Sequence, residues 1–73
     1  MYNKQFYVYI ITNKNNTTFY IGVSDNLMRR ISEHKNGLLE GFSKKYQLHK
    51  LVYFEEFGYI FNAIRREKQL KNW

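Results

Sequence analysis

The 73-residue chain has no cysteine, so neither a disulfide nor a zinc-thiolate site is open to it, and the absence fits a reducing compartment. It has no proline and so no proline-rich linker; internal repeats and low-complexity tracts are absent too. No apolar run approaches the roughly 20 residues of a membrane-spanning helix. The apolar run 6–11 is also too short for a signal-peptide core, and no small-residue cleavage site follows it. A cytosolic protein without a membrane partner is expected. P-loop, dinucleotide, nucleophile-elbow and zinc-ligand spacings are missing. The two histidines, His34 and His49, are too few for a histidine metal cluster.

Acids are scarce as well. Twelve Lys and Arg against six Asp and Glu leave a formal charge of +6. Solubility alone could account for that balance, but a cationic surface also suits nucleic acid, because phosphate contacts release counterions. At this length residues 1–73 form one domain, with a core that is marginal without staples. Seven Tyr, six Phe and one Trp supply large rings to compensate.

The stretch 20–34 organises the rest. It reads as a strand that stops at Gly22 and turns through Ser24 and Asp25 into a helix, with either of those two as N-cap. The helical template i, i+3, i+4, i+7 from Leu27 falls on Leu27, Arg30, Ile31 and His34. Two of these four inward positions are polar, and an inward cation is costly unless an anion meets it. Arg30 and His34 therefore point together into a cleft beside the sheet. The helix spans residues 25–36 and ends at Gly37, and Met28 is expected to fill core space.

Residues 6–12 are β-branched or aromatic on both alternating faces and read as a central strand. A polar, Asn-rich turn follows at 13–17. Residues 18–23 pair back as an antiparallel hairpin, with Phe19, Ile21 and Val23 on one face and Tyr20 and Gly22 on the other. Gly22 would open space beside Tyr20. A short helical turn is expected at 43–46, a third strand at 51–57, a break at Gly58 and a last helix over 60–73.

The last helix repeats the anomaly of the first. Its inward stripe runs Ile60, Ala63, Ile64, Glu67 and Leu70 or Lys71, while Arg65, Arg66, Lys68 and Gln69 face away. Glu67 either pairs with Arg30 as a buried ion pair or offers an oxygen ligand to a divalent cation. The spacing leaves both open.

On these residues the chain resembles the GIY-YIG nuclease family, particularly its small stand-alone bacterial members. Tyr7-Val8-Tyr9 lies where the first signature triplet belongs, with Tyr7 replacing its glycine, and Tyr20-Ile21-Gly22 matches the second. Residues 27–34 resemble the following helix, with Arg and His four apart, and residues 63–73 the segment bearing a metal-binding Glu. The resemblance implies an α+β fold, a three-stranded antiparallel sheet flanked by helices, in agreement with the elements above. It implies that Tyr9 and Tyr20 line a cleft, that Arg30 faces the scissile phosphate with His34 beside it, and that Glu67 binds one Mg²⁺ or Mn²⁺. The implied activity is that of a monomeric DNA endonuclease of the kind used in DNA repair or recombination. The sequence stops at Trp73, before a further helix that usually supplies an Asn to the site, so the resemblance implies either a C-terminally truncated version or an incomplete site.

Within such a site Arg30 could donate a bidentate fork to phosphate, which Lys could not copy. By resemblance Tyr9 is the proton acceptor, whereas His34 is chemically the easier base at neutral pH; the choice stays open. Lys35, Lys44 and Lys45 are candidates for gripping the DNA backbone, although the Lys44-Lys45 pair reads equally well as a solvated face. The rival function is a non-catalytic DNA-binding module with Arg30 and Glu67 as a structural pair. Nothing positive favours a protein-interaction domain.

Overall fold

The computed structural model describes residues 4–37 and 45–72. Within them the order is β1 (Phe6–Thr12), β2 (Phe19–Ser24), α1 (Leu27–Lys35), β3 (Lys50–Phe57) and α2 (Ile60–Lys71). The strands form one antiparallel sheet in the order β2-β1-β3. β1 is central, as expected of a strand apolar on both faces. An α+β architecture results.

The β1–β2 turn is built by Asn13. Its Oδ1 accepts from the Thr17 and Thr18 N–H groups at 2.8 and 3.3 Å, and its Nδ2 donates to Thr17 Oγ1 at 2.7 Å. Asn16 takes the left-handed conformation at φ 57°, which Asn tolerates better than most residues. Across the other ladder the register shifts between Ile10 and Ile11, from Tyr53 to Leu51. The shift skips Val52 and sets Leu51 opposite Ile11, where it packs against the core of Tyr9, Ile11, Leu27 and Leu48.

Residues directly opposite in an antiparallel sheet share a face. Tyr7, Tyr9 and Ile11 therefore share one with Ser24, Gly22 and Tyr20. Leu27 and Ile31 of α1 pack on that face. α2 packs closely on all three strands and buries Ala63 completely. Its Arg66 Nε lies 2.9 Å from Glu55 Oε2, and Glu55 stands opposite Val8, so α2 covers the Val8 face.

Four local expectations need correction. β2 does not stop at Gly22 but continues to Ser24, because Gly22 is paired with Tyr9 inside the ladder. The N-cap of α1 is Asn26, neither Ser24 nor Asp25: its Oδ1 accepts from Arg29 N at 3.0 Å. Ser24 instead holds the cap residue, accepting from Asn26 N at 3.0 Å and donating to Asn26 O at 3.2 Å. Met28 is 81% exposed and fills no core, since it lies off the Leu27–Ile31 stripe. Arg66 does not simply face away, because Glu55 on β3 draws its guanidinium onto the sheet. Gly37 ends α1 in the left-handed region at φ 66°, as expected. α2 ends at Lys71 with Asn72 as C-cap; Trp73, like Ser43 and Lys44 of the expected helical turn, lies outside the described residues. Among the described residues no helix is long and apolar enough to cross a membrane.

Candidate active site

The floor of the site is one cross-strand pair, Tyr9 opposite Gly22. A Cβ on Gly22 would lie 2.5 Å from Tyr9 Oη, 2.6 Å from Tyr9 Cζ and 3.0 Å from Tyr20 Cε2. The missing side chain is the room in which the Tyr9 ring lies. Tyr20 stands two residues before Gly22 on the same face, and His34 descends from α1. The three rings pack as a triangle, with centroids 6.3 Å apart for Tyr9–Tyr20, 5.9 Å for Tyr9–His34 and 5.8 Å for Tyr20–His34. Tyr9 Oη and His34 Nε2 are hydrogen-bonded at 3.2 Å, with Tyr9 2% and His34 4% exposed.

Burial drives both groups toward neutrality. It pushes the Tyr9 phenol well above its ordinary value, and the charges of Tyr20, Glu67 and Glu33 push the same way while Arg30 opposes them. Burial also lowers His34, helped by Arg30 and His49 and opposed by Glu33. At neutral pH the pair is a phenol bonded to a neutral imidazole, and the imidazole tautomer decides which of them donates.

Arg30 and Glu67, weighed above as a buried ion pair, do not pair with each other. Arg30 Nη1 lies 3.8 Å from Glu33 Oε1, and Glu67 Oε2 lies 3.1 Å from Lys71 Nζ. Each acid is one helical turn from its partner, and such a local partner needs no chain from across the sheet. Arg30 Nε is buried and has no hydrogen-bond partner. An unpaired buried donor of this kind costs about 1–3 kcal/mol. Glu67 is within electrostatic reach of Tyr9, although it comes from α2. The last turn of α2 borders the free edge of β2, where Phe19, Tyr20, Ile21, Leu70 and Lys71 line a groove of about 370 Å³.

No group of three His, Cys, Asp or Glu able to hold a metal exists among the described residues. A lone carboxylate does not suit zinc, which takes three or four protein ligands. It does suit Mg²⁺, which keeps several waters and uses one or two carboxylates with substrate phosphates. Of the basic candidates, Lys35 is exposed in the last turn of α1. Lys45 places Nζ over the Tyr46 ring, 5.5 Å from its centroid, and Lys44 lies outside the described residues.

One charged residue of this neighbourhood was given no role from the sequence, and one was placed differently. Glu33, three residues after Arg30, tempers both Arg30 and His34; the i, i+3 spacing was its only signal. Lys71, weighed above as the alternative to Leu70 on the inward stripe, is exposed and pairs with Glu67 four residues before it.

A family model described as the GIY-YIG catalytic domain matches residues 5–73. Among solved structures, the chain is similar to the solution NMR structure of the UPF0213 protein BH0048 from Bacillus halodurans. The two share 28% identity with a TM-score of 0.56, over 94% of this chain and 72% of that one. A comparison with curated protein sequences finds no match.

Proposed function

The chain belongs to the GIY-YIG family and is a nuclease-type domain, and from that membership and the geometry above we propose that it is a metal-dependent DNA endonuclease. The cluster of Tyr9, Tyr20, Arg30 and His34 would act on the phosphodiester, with Glu67 holding one divalent cation. The observation that carries this reading is the buried, unpartnered Nε of Arg30 beside a hydrogen-bonded Tyr–His pair. The Arg30 side chain is 31% exposed, so a phosphate can meet the open side of the guanidinium, whose fork can take two oxygens at once.

Hydrolysis needs a proton acceptor for the attacking water. A free Tyr9 phenolate is disfavoured by burial and by the acids around it. The 3.2 Å contact to His34 supports a relay instead. Water gives its proton to Tyr9 Oη while the phenol gives its own to His34 Nε2. The products of that transfer are a hydroxide equivalent at phosphorus, a neutral phenol and an imidazolium. The lowered basicity of His34 keeps its acceptor nitrogen open at neutral pH, and Glu33, which favours the charged ring, stabilises the imidazolium. Tyr20 holds the other two rings in place. A cation bound at Glu67 supplies neutralisation of charge on the leaving oxygen.

The test is nicking of supercoiled plasmid. Arg30→Lys, which keeps charge but loses the fork, should lose most activity. Arg29→Lys, exposed and one residue away, should be nearly silent. Equal losses from the two would reduce Arg30 to general electrostatics and remove the assignment.

A further inference from the structure

A second concavity, of about 600 Å³, lies where the β1–β2 turn meets the start of β3. Among the described residues that line it none is acidic. Lys14 and Lys50 contribute its cationic groups, His49 an imidazole, Asn15 and Gln47 its exposed amides, and Tyr46 a ring 42% exposed. The structure holds this lining in place. Thr12, fully buried, donates from Oγ1 to Thr18 O at 2.7 Å, and Asn13 is locked into its turn by the bonds described above. Lys50 Nζ donates to Asn16 Oδ1 at 3.1 Å, which uses one of three donors and leaves two. Lys14 has no ion pair or hydrogen bond among the described residues. Lys45, over the Tyr46 ring, adds a cation at the rim.

The cleft is far larger than an inorganic anion requires and falls in the range of small-molecule sites. Cations, a π-face and amides that can both donate and accept match a nucleotide: phosphate, stacking face and base edge. Leu48, between the lining residues Gln47 and His49, belongs to the core cluster that contains Tyr9, so the cleft adjoins the Tyr9–His34 site. We propose that this cleft binds one nucleotide of the DNA strand next to the scissile phosphate, with its phosphate on Lys14 and Lys50 and its base against Tyr46, Asn15 and Gln47. The position beside the scissile phosphate rests on the nuclease reading; occupancy of the cleft does not.

The test is a titration of ¹⁵N-labelled protein with thymidine 3′,5′-bisphosphate, with inorganic phosphate and unphosphorylated thymidine as separate arms. The bisphosphate should shift the amides of Asn15, Tyr46, Gln47 and His49, and each other arm should bind at least tenfold more weakly. The Lys14→Gln, Lys50→Gln double variant should weaken bisphosphate binding at least tenfold and raise the plasmid KM more than it lowers kcat. Should it fail to fold, Lys14→Gln alone, which breaks no hydrogen bond or ion pair among the described residues, should weaken binding in the same direction. Equal affinity for inorganic phosphate, shifts confined to the Arg30–His34 region, or unchanged binding by the variants would each overturn the proposal. A wild type that takes the bisphosphate in the cleft but never nicks plasmid would refute the nuclease reading and leave the cleft assignment standing.

Discussion

Replacing Gly22 with alanine would place a methyl carbon 2.5 Å from Tyr9 Oη and 2.6 Å from Tyr9 Cζ, well inside van der Waals contact. The Gly22 backbone is not in the left-handed region, so the effect comes from packing alone. Tyr9 cannot yield freely, because it is 2% exposed and wedged between Tyr20 and His34. Overpacking of this kind costs about 1–3 kcal/mol, offset by about 0.4–1 kcal/mol from the stiffer unfolded chain. Taking the middle of each range, a net loss of about 1.3 kcal/mol should lower Tm by roughly 5–10 °C in a domain of this size. Gly58 is the internal control. A Cβ there meets nothing within 4 Å, so Gly58→Ala should be stabilising by about 0.4–1 kcal/mol. Thermal melts by circular dichroism read both, and Gly22→Ala should also weaken the Tyr9–His34 bond and hence nicking. Equal melting temperatures for the two variants, or a higher one for Gly22→Ala, would refute the packing argument.

Other consequences concern charge. Burial holds His34 below the ordinary histidine value of about 6.5, so as pH falls through that value the unfolded chain takes up the proton before the folded one. Stability should therefore be full above about pH 6.5 and decline below it until the folded imidazole is itself protonated. Urea unfolding at pH 7.5 and 5 should show this slope, and His34→Gln should flatten it; an unchanged slope would contradict the assignment. DNA binding carried by phosphate contacts should weaken steeply with salt and depend little on sequence. Fluorescence anisotropy with two unrelated duplexes across a salt series measures both, and salt-insensitive binding would count against it.

Much of the fold was legible because its signals are local. β1 is apolar on both faces and α1 carries an apolar stripe, and such patterns need no knowledge of the partner. The polar intruders Arg30, His34 and Glu67 were visible for the same reason: each breaks a period that its neighbours keep. What escaped depends on contacts between distant residues or on a choice among equals. Gly22 looked like a stop because the cause of its smallness, the Tyr9 ring, lies 13 positions earlier. Ser24, Asp25 and Asn26 can all cap a helix, and only the backbone geometry selects Asn26. The partners of Arg30 and Glu67 follow from side-chain reach, and in both cases a residue one turn away on the same helix prevails over a partner from across the fold. The cleft beside Tyr46 gathers residues from two separate segments and has no linear signature at all.

The central claim is that Glu67 and the Tyr9–His34–Arg30 cluster work together on a phosphodiester, and the most direct measurement is plasmid nicking by the wild type and by Glu67→Gln. Gln preserves the side-chain shape but lacks the charge that a hard cation requires. The wild type should convert supercoiled plasmid to nicked circles with Mg²⁺ or Mn²⁺ and not with EDTA, and Glu67→Gln should remain at background with either metal. A wild type that binds plasmid but leaves it intact with both metals, or a Glu67→Gln variant that nicks at the wild-type rate, would contradict the account.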